Sequence, residues 1–122
     1  MSLMMSGEHT ITDERRHKPR SLVSVSLRMY ATNRRLLMRA RTVDLSTSGA
    51  LVHGSGPLRV GQTVDIEVAR GLARNPLTLQ AEVVRIATPN EQRKQHGVAL
   101  RFIDVSAIDE AIIESIINSA RG

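Results

Sequence analysis

The sequence predicts a mainly β domain, a small sandwich or barrel followed by one C-terminal α-helix. Apolar and polar residues alternate with period two over most of the chain, and Gly, Pro, Asn and Ser clusters interrupt that alternation at short intervals. Near the C-terminus the period changes to that of a helix. At 122 residues the chain is most economically one domain.

The first strand begins at Leu22, where Val23, Val25, Leu27 and Met29 alternate with Ser24, Ser26, Arg28 and Tyr30. Asn33 marks a turn, and a second strand covers residues 36–45. Its alternation falters at Thr42 and Val43, which points to a β-bulge. Residues 46–49, Ser-Thr-Ser-Gly, form a turn before a short strand at residues 50–53, which Gly54-Ser55-Gly56-Pro57 ends. Val64, Ile66 and Val68 mark a fourth strand, and Leu77, Leu79, Ala81 and Val83 a fifth. After a polar loop at residues 88–96, Val98, Leu100 and Phe102 mark a sixth. Ser106 then reads as a helix N-cap with Asp109 in the first turn. Ile108, Ile112, Ile113, Ile116 and Ile117 follow at helical spacing. This stripe is expected to close one end of the barrel, with a dimer contact through the same face as the alternative.

Residues 1–21 lack sustained periodicity. They carry the run Asp13-Glu14-Arg15-Arg16-His17-Lys18-Pro19-Arg20, and Pro19 disfavours a helix at Lys18. The expected organisation is a disordered tail at 1–12, a flexible basic arm at 13–21 and a folded domain at 22–120. Met1-Ser2-Leu3 is set aside from the fold argument.

Composition removes several function classes. Without cysteine there are no disulfides, thiolate metal sites or Cys nucleophiles. No apolar run approaches the ~20 residues of a membrane-spanning helix, and no charged-then-apolar leader precedes the domain, so a cytoplasmic location is expected. His9, His17, His53 and His96 fall in unrelated segments, which leaves no metal-ligand spacing. Ser46 and Ser48 lack a G-x-S-x-G elbow, and Gly54-Ser55-Gly56 lacks the lysine and helix of a P-loop. The chain is therefore read as a binding protein and not an enzyme. Its net charge is +5, supplied almost entirely by arginine, whose planar fork suits phosphates and guanine edges. A nucleic-acid-binding barrel is one class this charge permits. However, one Phe, one Tyr and no Trp leave little for base stacking.

Two segments carry candidate binding chemistry. Arg16 and Arg20 have R-x-x-x-R spacing, with Arg15 just before, and several guanidiniums on one arm can converge on one anion. In the turn at residues 44–49, Asp44 can accept guanine N1–H and N2–H, and Ser46 offers a hydroxyl. Gly49 permits a positive φ or close ligand approach. Taken singly, a solvated basic tail and an Asx/Ser turn are the commoner explanations of these segments.

Together they resemble the two-part signature of the PilZ family, R-x-x-x-R followed by D/N-x-S-x-x-G. Arg16 and Arg20 match the first part; Asp44, Ser46 and Gly49 match the second. The similarity continues through Gly49-Ala50-Leu51-Val52, the stretch from Leu58 to Ile66, Val83-Val84-Arg85 and Gly97-Val98-Ala99-Leu100-Arg101-Phe102, and so spans roughly residues 13–120. The resemblance implies a six-stranded antiparallel Greek-key-type β-barrel with a C-terminal helix, acting as a stand-alone receptor for the second messenger cyclic-di-GMP. It implies that Arg16 and Arg20 contact phosphate and guanine, that Asp44 and Ser46 hold a guanine edge, and that Gly49 keeps the turn open. In the family an arginine at the position of Arg15 goes with an intercalated dimer of the ligand. An effector protein in motility, biofilm or exopolysaccharide control is the implied partner, with homodimerisation also open. A ligand-free interaction adaptor is the remaining alternative.

Overall fold

Strands form where one face of an alternating segment can be buried. The computed structural model of the chain describes residues 20–71, 74–87 and 97–121. The expected tail at 1–12, the arm as far as Pro19 (with Arg15 and Arg16) and the loop at 88–96 lie outside the described residues.

Six strands appear: β1 (Ser26–Tyr30), β2 (Leu36–Leu45), β3 (Gly49–His53), β4 (Thr63–Val68), β5 (Leu77–Ala87) and β6 (Gly97–Ile103). They close into a barrel in the order β1-β2-β3-β6-β5-β4, with every neighbouring pair antiparallel. β1 to β3 form a meander, and β4 returns to lie beside β1, which is the Greek-key arrangement. The alternation fills the lumen as expected: Leu27, Met29, Val52, Val64, Ile66, Val83 and Val98 are all buried. Phe102 is the one aromatic residue in the core, which otherwise consists of aliphatic side chains and methionine.

The helix α1 (Ala107–Arg121) starts at a reciprocal cap. The Asp109 amide donates to Ser106 Oγ at 3.0 Å, and the Ser106 amide donates to Asp109 Oδ2 at 3.3 Å. This satisfies two amide donors at the start of the helix, and such a cap contributes about 1 kcal/mol. Ile113, Ile116 and Ile117 join the barrel core, each burial contributing about 2 kcal/mol. Ile112 packs partly against them, whereas Ile108 is 73% exposed. The isoleucine stripe therefore buries its later turns only. Ile108 sits in the first turn, before the helix settles on the barrel.

The first strand also differs from expectation. Its ladder begins at Ser26 and not at Leu22, although Val23 and Val25 keep the inward phase. Residues 21–25 follow β2 through separate bonds. The Ser21 and Leu45 backbones exchange two hydrogen bonds of 2.9 Å. The buried Thr42 Oγ1 accepts from the Val25 amide at 2.9 Å and donates to the Val23 carbonyl. The root of the arm is thus fixed along the end of β2.

Candidate ligand-binding site

The position of Asp44 depends on a bulge. Pairing of β2 with β3 shifts between Thr42 and Asp44, so Thr42 faces Val52 and Asp44 faces Leu51. Val43 and Asp44 both lie on the outer side, and Leu45 returns to the core. Without the extra residue, the alternation would turn Asp44 inward and Leu45 outward. The bulge expected at Thr42 and Val43 is therefore what presents the carboxylate.

The fixed arm root then delivers an arginine to it. Because Ser21 is locked opposite Leu45, Arg20 emerges beside Asp44, and its Nη1 donates to Asp44 Oδ1 at 3.1 Å. The Arg20 side chain remains 61% exposed and that of Asp44 13% exposed. The same carboxylate oxygen accepts the Leu51 amide at 3.3 Å, which orients it from below.

Ser46 and Gly49 play a different part. Ser46 is buried, and its Oγ accepts from the Ser48 and Gly49 amides, both at 3.2 Å. The Ser46 amide donates to the Gly49 carbonyl at 2.9 Å, which closes the turn. Gly49 is not among the positive-φ residues. It is required for another reason, since a Cβ there would collide with the Leu100 carbonyl oxygen of β6. The close approach that the structure shows at Gly49 is thus that of a neighbouring strand.

Strand register adds residues that a linear reading did not single out. Asp44 faces Leu51, Leu51 faces Ala99, and Ala99 faces Arg85 across a second bulge between Val83 and Arg85. This outer row joins a carboxylate, two apolar side chains and an exposed arginine that has no ion pair or hydrogen bond among the described residues. Leu22, Val43 and Leu51 are apolar residues at outward positions, and Leu22 is 85% exposed. Apolar residues out of phase with the core were the available sequence signal. Among the described residues no group of three or more His, Asp or Glu side chains could hold a metal, and no helix is long and apolar enough to cross a membrane.

Solved structures share this architecture. The PilZ domain of YcgR from Escherichia coli, determined with cyclic-di-GMP, superposes with a TM-score of 0.69 at 22% identity, over 88% of this chain and 92% of that one. The PilZ domain of CeSA from a cellulose-synthesizing bacterium gives 0.63 at 17% identity, over 85% and 99%. The inhibitor of motility MotI/DgrA from Bacillus subtilis gives 0.67 at 14% identity, and there this chain spans 51% of the longer protein. No curated protein matches the sequence. The PilZ domain family itself matches residues 14–119, which takes in the arm, all six strands and most of the helix. On that match over most of its length, the chain belongs to the PilZ domain family.

Proposed function

We propose that this chain is a cyclic-di-GMP receptor, not an enzyme, and that the arm and the outer face around Asp44 form its binding site. The observation that carries the proposal is the ion pair between Arg20 and Asp44, one member from each half of the sequence signature. YcgR and MrkH, both similar in fold, have been determined with cyclic-di-GMP, which supports the same ligand here. In the proposed mechanism the ligand exchanges with that pair. Asp44 accepts guanine N1–H and N2–H, while Arg16 and Arg20 take a phosphate and a guanine O6/N7 edge. An ion pair this exposed contributes only about 0–1 kcal/mol, so opening it costs little. Leu51 and Ala99 provide an apolar floor, and Arg85 closes the far side. Ser46 and Gly49 act by holding the turn in shape. Closure of the arm over the ligand then presents an altered surface to an effector protein.

The aromatic residues argue against nucleic acid as the primary ligand. Phe102 is in the core, and the Arg34 guanidinium lies over the Tyr30 ring, 5.1 Å from its centroid, so little aromatic surface is left for base stacking. MotI/DgrA is an inhibitor of motility and CeSA comes from a cellulose-synthesizing bacterium. Those relatives support motility or exopolysaccharide control as the output, and a cytoplasmic location is proposed with it.

Calorimetric titration with cyclic-di-GMP, with arm amide signals followed by NMR, tests the proposal. Saturable heat and ordering of arm signals are expected, and absence of both overturns it. Arg15 is assigned to a second, intercalated ligand molecule. Two ligands per protomer are therefore expected, falling to one in Arg15→Ala. A ratio of one in both proteins removes that assignment. Asp44→Ala is expected to lower the preference for guanine over adenine dinucleotides, and unchanged discrimination would take Asp44 out of base recognition.

A further inference from the structure

A cavity of about 630 Å³ opens on another part of the barrel wall, over β1 and β2 and beside the segment after β4. Neither Arg20, Asp44, Ser46 nor Gly49 lines it. Its charge is one-sided: Arg28, Arg39, Arg41, Arg70 and Arg74 line it, against the single carboxylate of Glu67. That carboxylate is already engaged by the Tyr30 hydroxyl and by Arg34 at 3.8 Å.

The groove keeps an excess of positive charge even with Glu67 counted. Arg28 and Arg39 are direct cross-strand partners, a like-charge pairing that is destabilising, while on its other side Arg28 faces Glu67, which offsets part of that repulsion. Neither arginine has a hydrogen bond or ion pair among the described residues, and the same holds for Arg70 and Arg74. Arg41 is held in place by neutral groups only. Its Nε donates to Ser24 Oγ at 2.8 Å, its Nη1 to Ser26 Oγ at 2.8 Å and its Nη2 to the Ser24 carbonyl at 3.0 Å. The guanidinium is therefore oriented in advance and its charge is not cancelled. A concave wall of one sign concentrates counter-ions, and the volume lies within the ~300–1,000 Å³ usual for small-molecule pockets.

We propose that this groove is a second anion site, which binds a small polyphosphorylated molecule such as a nucleoside triphosphate, separately from the site at Asp44. Clustered arginine forks match clustered phosphate oxygens, and all five arginines lining the groove are available to such a ligand. Binding removes the repulsion between Arg28 and Arg39, so occupancy also stabilises the barrel.

Inorganic tripolyphosphate and ATP, titrated into the full chain in phosphate-free buffer with melting temperature as a second readout, test this. Both are expected to bind and to raise the melting temperature. In Arg28→Thr/Arg39→Thr, whose threonines suit a strand, affinity is expected to fall about tenfold or more. Cyclic-di-GMP binding should be unchanged. Asp44→Ala should leave tripolyphosphate binding intact, so the two sites fail independently. Arg39→Gln alone serves if the double variant does not fold. Equal tripolyphosphate affinity in variant and parent overturns the proposal. So does loss of tripolyphosphate binding in Asp44→Ala, which would merge the groove with the dinucleotide site. Binding only to a glutamate-rich peptide or to phosphatidylglycerol vesicles overturns it as well, because the groove would then serve a protein or a membrane surface.

Discussion

The turn at residues 46–49 and the pair formed by Arg20 and Asp44 lie side by side, yet they use their polar groups differently. In the turn, a buried serine hydroxyl and the backbone around it are bonded to one another, and a glycine is held against the Leu100 carbonyl. In the pair, an exposed guanidinium meets a carboxylate across a bond that water and ligands can replace. Residues of one short signature thus divide into those that make a shape and those that leave a contact open to exchange. The difference teaches that membership of a motif does not by itself make a residue a ligand contact.

Substitutions should separate the two roles. The largest effect is expected for Gly49→Val, whose side chain has no room between β3 and β6. A stability loss of about 3 kcal/mol should appear in urea unfolding, with ligand binding lost along with the strand pairing. A variant as stable as the parent but unable to bind would return Gly49 to the ligand. Next, Arg16→Ala and Arg20→Ala should each weaken cyclic-di-GMP binding by about 1–3 kcal/mol. Their unfolding midpoints should change by no more than about 0.5 kcal/mol in stability terms, as is usual at exposed positions. Normal binding by both variants would remove the arm from the site. Ser46→Ala should be the mildest. It leaves two turn amides without their acceptor and costs about 1–2 kcal/mol of stability, while discrimination between guanine and adenine dinucleotides stays the same. Altered discrimination without a stability loss would place the hydroxyl on the base.

The strands were legible because the barrel buries one face of each. Val23, Val25, Leu27 and Met29 could be assigned inward without knowing what they touch, and the disturbed phase at Thr42 and Val43 located the bulge. The helix was legible from Ser106 and Asp109 and from its isoleucines. The exposure of Ile108 was not, since helical spacing fixes a face but not how far along it the contact begins. The two halves of the signature pointed to one site, and the structure joins them at Arg20. Arg85 was legible only as part of a strand, not as a neighbour of the candidate site, because its place opposite Ala99 depends on pairing between strands distant in sequence, and on a bulge that resets the register. At Gly49 the sequence suggested a positive φ or a close ligand approach; φ is not positive there, and the contact with a β6 carbonyl could be identified only from the closed barrel.

The root of the arm has a second anchor, and this limits how far the arm can reach. Arg121, in the last turn of the helix, donates from Nη2 to Ser21 Oγ at 2.7 Å, the same residue whose backbone is bonded to Leu45. With Ser21 tied to both strand and helix, any pivot of the arm lies at or before Arg20. From there to Arg16 is a tether of four residues, at most about 14 Å when fully extended. If Arg16 contacts the ligand as proposed, that contact lies within this radius of Arg20, extended by the side-chain lengths. For the proposed site, the length of the segment between the two arginines therefore sets an upper limit on the span of a ligand that both can hold.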